Sequence, residues 1–364
     1  MKTSTKKLVS RTTIQSTFSQ KFLTQIFTWG GLIGTFLLAS CSDMNTEPME
    51  MDSQISKILP DQTFTLVPSQ NEPIQIYGMS EAPEGASFRS TQAAGNDRGR
   101  FNITLQYVVD ITDRQREVFE SAAARWERII IRDVPSITGT IPSAFQGLPP
   151  VIDGGTIDDI LIEVVIAPID GPGGILGQAG PRFTRTVDRL PVTGVMFFDV
   201  DDLDFLESLD LFEDVIVHEM GHVLGIGTLW NFGGRELRQG PTANPFFTGK
   251  TANTHWNAEG GTDALPVENM GGQGTALSHW RESILRNELM TGFLNLGVNP
   301  LSRITAGSLR DLGYGTALVG EQYELERGTP GVDISDLAAS GTLEGLHIAE
   351  MEVLLKPIGF VTTD

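Results

Sequence analysis

Cysteine is almost absent from this chain of 364 residues: there is one, Cys41. No internal disulfide can form, which excludes a disulfide-stapled scaffold, and no second thiol exists for a pro-segment to place on a metal. Basic residues are also scarce. Lys and Arg number 26 against 46 Asp and Glu, a formal net charge of −20. The chain therefore lacks the cationic surface on which phosphate-backbone affinity rests, and nucleic acid is not expected as a partner. No apolar run is long enough to span a bilayer comfortably, which takes about 20 residues. Histidine occurs only five times, so any regular spacing among the five is informative. What is present, 40% hydrophobic residues, suffices for one large core or two ordinary ones and excludes a collagen-like or wholly disordered chain.

Residues 1–40 carry Lys2, Lys6, Lys7, Arg11 and Lys21 and no acid. The apolar run at 27–39 has the length of a signal-peptide core. It ends in Leu38-Ala39-Ser40-Cys41, which resembles a bacterial lipobox. That resemblance implies cleavage before Cys41 and a lipid on its thiol. An ordinary secretory signal with a chance cysteine is the plainer alternative. Either way the mature protein is expected to be exported, and with the lipid it is anchored on the extracytoplasmic side of the cell envelope. Removing five basic residues leaves the remainder still more acidic, so electrostatics would not hold it to anionic lipid, and the anchor must be covalent.

Residues 41–99 are rich in Ser, Pro, Glu, Gln, Asn and Gly, with one weak apolar stretch at 63–67. They read as a tether or a pro-segment. A catalytic domain is expected over 100–316, and 317–364 reads as an extension with no pattern that assigns it a role. Within the domain, alternation from Phe101 to Val109 predicts a strand. Thr112 and Gln115 predict a capping box, opening a helix that ends before Pro135. Apolar runs predict strands at 160–166 and 195–200. Asp210, with Glu213 three residues on, predicts a cap for a helix to about Leu224, and Gly225 suits the position just past its end. The stretch 227–274 reads as loop, and 302–312 as a final helix. These elements indicate an α+β fold with a mixed twisted sheet.

The predicted helix before Gly225 carries His218-Glu219-Met220-Gly221-His222. Four helical residues turn about 400°, so both imidazoles share one face, one turn apart. That spacing lets both nitrogens reach one tetrahedral zinc ion. Glu219 is offset to lie beside the metal, where it can take a proton from a metal-activated water. Catalytic zinc usually has three protein ligands. Position 228 is Thr, so the third ligand lies further along. His255, His279, His347 and the carboxylates of Glu236, Glu268 and Glu282 are all open to that role.

The run from His218 to Trp230 resembles the active-site helix of leishmanolysin-like metallopeptidases, a metzincin family. There an insertion separates the glycine from the third histidine, which precedes a tryptophan and then a Met-turn. Ser278-His279-Trp280 and Glu288-Leu289-Met290-Thr291 match both features in order. The resemblance spans roughly 101–314. It implies that His218, His222 and His279 bind one catalytic zinc, that Glu219 is the general base, and that Met290 forms an apolar floor under the metal. It implies a zinc-dependent endopeptidase acting on protein or peptide substrates. This chain departs from that family's disulfide-rich members in having no disulfide.

Two weaker features remain. Asp199, Asp201, Asp202 and Asp204 offer alternate oxygens that could hold calcium, or form a solvated acidic turn. In metzincins a sheet edge near here pairs with an extended substrate, so the resemblance implies that Gly174, Ile175, Leu176 and Gly177 border that edge; a plain loop is the alternative. Two competing functions stay open: a surface lipoprotein that binds a partner and keeps a non-catalytic zinc, and a zinc hydrolase of non-peptide substrates.

Overall fold

Runs of Ile, Val and Phe at 160–167 and 191–199 bury nearly every residue. Such strands need apolar cover on both faces. The computed structural model supplies it; it describes residues 63–69, 72–81, 99–334 and 347–363, all within one compact unit. The lipidation site Cys41 and the expected signal lie outside the described residues.

The main sheet is built from β1 (Ile74–Glu81), β2 (Ile103–Tyr107), β3 (Ser136–Ile141), β4 (Ile152–Ile157), β5 (Ile160–Ala167), β6 (Gly177–Arg185) and β7 (Pro191–Asp199). Short strands follow: β8 (Arg238–Gln239), β9 (Phe246–Phe247), β10 (Gly261–Thr262), β11 (Leu265–Pro266) and β12 (Thr329–Pro330). Two more, β13 (Glu352–Leu354) and β14 (Gly359–Thr363), return to the main sheet. Its order is β2-β5-β7-β6-β14-β1-β3-β4, with β13 also against β6. The β2, β5 and β7 strands run parallel, β6 is antiparallel to β7, and β14 is parallel to both β6 and β1. The class is α+β around a mixed sheet, as the run of elements implied.

One face of the sheet, through Ile162, Val164, Met196 and Phe198, packs on α1 (Asp113–Ile129) and α3 (Phe212–Leu224). The other face, through Val165, Val195 and Phe197, is covered by Phe145 and by Phe64 and Leu66 from the expected tether. Phe64 meets Phe145 and Phe197 edge-on at 5.6 and 6.3 Å. Residues 74–81, read as part of the same tether, form β1 inside the sheet. Residues 352–354 and 359–363, which carried no pattern, form β13 and β14.

The capping box at Thr112 is present in both directions. Between α1 and α3 lies an unexpected helix, α2 (Leu203–Ser208). It changes the role of Asp210, which sits at φ 59° in the turn after α2 and does not cap α3; Leu211 precedes α3 without a side-chain cap. Acids Glu213 and Asp214 occupy the first turn instead, where the helix dipole favours them. Asp214 also binds Arg125 of α1 at 3.0 Å. The expected loop at 227–274 contains α4 (Lys250–Glu259) and the start of the one-turn α5 (Gly272–Thr275). A second one-turn helix is α6 (Glu282–Leu285), and α7 (Arg303–Leu312) is capped by the Ser302 hydroxyl. The single-turn α8 (Ile348–Met351) leads directly into β13.

The calcium expectation is not met. The Asp199 carboxylate accepts from the amides of Ile169, Asp170, Gly171 and Asp201, and Asp202 accepts from Gly173. These carboxylates fasten the 169–173 loop to the end of β7, while Asp201 and Asp204 are exposed. The four do not gather around a common point.

Two other buried acids set a pH dependence. Asp159 accepts from the amides of Val134 and Asn102 at 2.6 and 2.8 Å, and burial pushes its pKa up to about 8. Burial likewise pushes Glu163 up to about 7, against the Ser143 hydroxyl and the Ala144 amide. Both hold their protons more tightly folded than unfolded. Their contribution is full below the unfolded value of about 4 and declines as pH rises toward 8. Asp159→Asn should therefore flatten the fall in melting temperature between pH 5 and pH 8. A slope identical to that of the unsubstituted chain would refute this.

Candidate metal centre

Helix α3 is held by contacts at its middle and at its C-terminal end. The Trp126 indole of α1 donates to the Val217 carbonyl at 3.0 Å, and the Tyr314 hydroxyl donates to the Leu224 carbonyl at 3.0 Å. Gly225 ends the helix at φ 113°, a conformation that costs glycine little. This turn brings the Ile226 carbonyl back under His222. Gly227 then packs so closely on residue 278 that a Cβ there would lie 2.1 Å from the Ser278 carbonyl oxygen. The turn that leads from α5 into His279 is thereby pressed against the end of α3.

His218, His222 and His279 are fully buried, and their rings meet. Each Nδ1 faces a backbone carbonyl: Leu289 at 2.7 Å for His218, Ile226 at 2.9 Å for His222 and Thr275 at 3.0 Å for His279. A carbonyl only accepts, so each Nδ1 carries a proton and each Nε2 directs its lone pair inward. The three Nε2 atoms stand 3.0, 3.0 and 3.2 Å apart. Three converging lone pairs at that distance repel unless a cation lies among them. A proton on one nitrogen would satisfy one pair only. Nitrogens about 2.0–2.1 Å from a tetrahedral zinc would be about 3.3 Å apart, close to the observed spacing. The donor set therefore fits zinc.

A fourth group meets them. The Glu352 carboxylate of β13 lies 3.0 Å from His279 Nε2, and 3.5 and 3.6 Å from His218 and His222 Nε2. Burial disfavours its charge, but the adjacent imidazoles, His279 foremost, outweigh burial and hold it well below the usual carboxylate range. Beside it, Glu219 is fully buried, and among the described residues no backbone amide or hydroxyl engages either of its oxygens. Burial first, and then the charge of Glu352, push the Glu219 carboxyl well above its ordinary value.

Nothing in the sequence pointed to Glu352. It lies in Glu350-Met351-Glu352-Val353, one acid of two in a short apolar run, with no spacing that relates it to the histidines. Only the pairing of β13 with β6 brings it there. The other candidates for third ligand are elsewhere. His255 sits half-buried on α4, near Arg303 and Glu259. His347 stacks on Phe293 at 4.1 Å and bonds to Glu350. Glu236 is exposed. Glu268 spends its carboxylate on the amides of Asn269, Met270 and Glu282, shaping the loop that delivers His279.

The 288–291 segment lies beneath the histidines. Buried Glu288 accepts from the Met290 amide at 2.7 Å and from Ser302 and Thr305 of the α7 cap. This holds Leu289 so that its carbonyl meets His218. Met290 is fully buried against Gly221, where a Cβ would lie 2.8 Å from its sulfur and 3.0 Å from the Trp126 ring. Of the expected substrate-binding residues, Leu176 is buried and its amide donates to Met351, while Gly177 pairs with Glu352. The edge they border is occupied by the chain's own C-terminal strand.

Two imidazoles on an HExxH helix and a third from a loop, buried together with the Glu219 carboxyl beside them, define a metal-dependent hydrolase centre. The particular family follows from comparison: the leishmanolysin peptidase family model matches residues 131–319, and the chain belongs to that family. No curated protein matches the chain. The family is one of zinc metallopeptidases, and among the described residues His218, His222, His279 and Glu352 form the one group containing histidine that could hold a metal.

The Gly221 contact yields a test. In an open helix Gly→Ala stabilises by up to about 1 kcal/mol. Here Gly221→Ala should instead destabilise by about 1–3 kcal/mol through overpacking on Met290 and Trp126, as read by denaturant unfolding of the zinc-loaded chain. A gain in stability would show that Met290 does not pack there.

Proposed function

We propose that the chain is a zinc-dependent endopeptidase in which His218, His222 and His279 hold the metal. When bound, zinc lowers the pKa of water toward neutrality and polarises a carbonyl oxygen. Each imidazole is kept in the tautomer the role needs by its own backbone carbonyl. Glu219 is the general base: it takes a proton from the attacking water and passes it to the leaving amine. The observation that carries this reading is the Glu219 carboxyl itself, buried at the histidine cluster without any structural hydrogen bond from amide or hydroxyl. A buried acid with no structural task is costly to keep. Met290 supplies the apolar floor, and Glu288 holds it in place. Lipid anchorage through Cys41 would keep this activity on the extracytoplasmic side of the cell envelope.

One observation favours a second reading. Glu352 completes a set of four side chains, and closed four-ligand zinc sites are usually structural. On that reading the chain is a binding protein with a non-catalytic zinc, and Glu219 has no task.

Peptide-library cleavage separates the two, read on the exported chain and on Glu352→Ala, so that the carboxylate cannot mask turnover. Adding Glu219→Gln should lower cleavage about 10²–10⁴-fold with zinc content unchanged. His279→Ala should lose zinc, whereas His255→Ala should keep it. Zinc loss in Glu219→Gln would contradict its assignment as base, and zinc retention in His279→Ala would contradict the ligand set.

A further inference from the structure

The C-terminal segment follows β6 along most of its length. The Leu176 amide donates to the Met351 carbonyl at 2.7 Å; Glu352, Val353 and Leu354 pair in parallel with Gly177, Gln178 and Ala179. The Leu355 amide then donates to Ala179 and the Ile358 amide to Arg182, at 2.7 and 2.8 Å. The seat is specific. A Cβ on Gly180 would lie 2.2 Å from the Leu355 carbonyl oxygen, so only glycine lets the segment approach β6 this closely. Beyond β14 the sheet continues, but among the described residues β13 has β6 as its single strand partner. Its opposite side faces a cleft of about 900 Å³, with Arg238, Leu277 and Ser278 on the far wall.

This short strand does two things at once. It takes up the backbone donors and acceptors of β6 beside the histidines, the groups with which an extended peptide would pair. It also directs the Glu352 carboxylate at all three Nε2 atoms, within 3.0–3.6 Å. Carboxylate oxygen is an ordinary zinc ligand, and a catalytic site needs its fourth position for water. Glu219, already in place beside Glu352, is a group that a purely structural site does not require. Of the four side chains, Glu352 alone rides on an edge strand held by three residue pairs; His218 and His222 belong to a buried helix, and His279 to a loop locked by Glu268.

We propose that residues 351–355 are an internal inhibitor, with Glu352 as displaceable fourth ligand to the metal and β13 as occupant of the substrate edge, so that the enzyme is latent until this strand leaves β6. The proposal rests on the peptidase reading above, and it identifies extended, strand-forming peptide as what competes for β6.

The test uses the full exported chain loaded with cobalt(II), whose absorption reports its ligands, and acetohydroxamate as a small chelating probe. The unsubstituted chain should keep its spectrum when acetohydroxamate is added. Glu352→Ala and the shape-conserving Glu352→Gln should each bind the probe, with a shifted spectrum. With zinc, both variants should cleave a peptide library faster, on the order of tenfold or more if the latent state dominates, and Glu219→Gln in the Glu352→Ala background should bind the probe without cleaving. Two substitutions guard against failure of either one to fold. If the unsubstituted chain takes up the probe as readily as the variants, Glu352 is not a ligand and the proposal falls. Equal cleavage by the unsubstituted chain and the variants would overturn latency and leave the peptidase reading standing. Probe binding gained without cleavage by any variant would overturn both, in favour of a structural zinc.

Discussion

Three imidazole nitrogens held 3.0–3.2 Å apart with their lone pairs facing inward are the constraint on which the centre of this protein depends. The arrangement is enforced from outside. Each ring is pinned by a backbone carbonyl, and each carbonyl belongs to a different device: the glycine turn after α3, the 288–291 segment tied to α7 by Glu288, and the α5 turn before His279. Repulsion among the nitrogens is the cost of this preorganisation, and a divalent cation removes it. The surrounding core can be understood as the scaffold that resists that repulsion. Trp126, Tyr314 and Met290 hold α3 from three sides, and the two-faced sheet holds α1 and α3 together.

Charge follows the same logic. Glu352 brings an anion to the cluster, and the imidazoles hold it ionised despite complete burial. Glu219, fully buried beside it, is driven the other way, by burial first and then by the charge of Glu352. Two carboxyl groups in one pocket cannot both ionise freely. The imidazoles lower the Glu352 carboxyl, whereas burial first, and then the Glu352 charge, raise the Glu219 carboxyl.

Membership of the leishmanolysin family was visible in His218 to Trp230, His279-Trp280 and the Met290 segment, because those residues are chemically constrained at close spacing. The helices with strong local signals were visible too: Thr112 and Gln115 cap α1, and Ser302 caps α7. Elements without such signals were not. Asp210 offered a plausible cap, yet the unforeseen α2 turned it into a left-handed linker. Residues 63–67 are only a weak apolar stretch, and with 74–81 they lie in a polar segment that reads as tether, yet Phe64 and Leu66 cover one face of the sheet and β1 pairs within it. Their role depends on strands far away in sequence, which supply most of the apolar surface they bury.

What the sequence by itself determined is the chemistry that local geometry can enforce. One helix turn between His218 and His222, a base offset from both, and a glycine that ends the helix are all consequences of 3.6-residue periodicity and backbone sterics. Helix geometry left the third histidine open, and the family resemblance implied His279; tertiary structure brings His279 to the pair and, with no signal in the sequence, Glu352 as well. A third ligand and a blocking carboxylate arrive through loop and strand pairings, and those are selected by burial and register over the whole sheet, which no local pattern encodes.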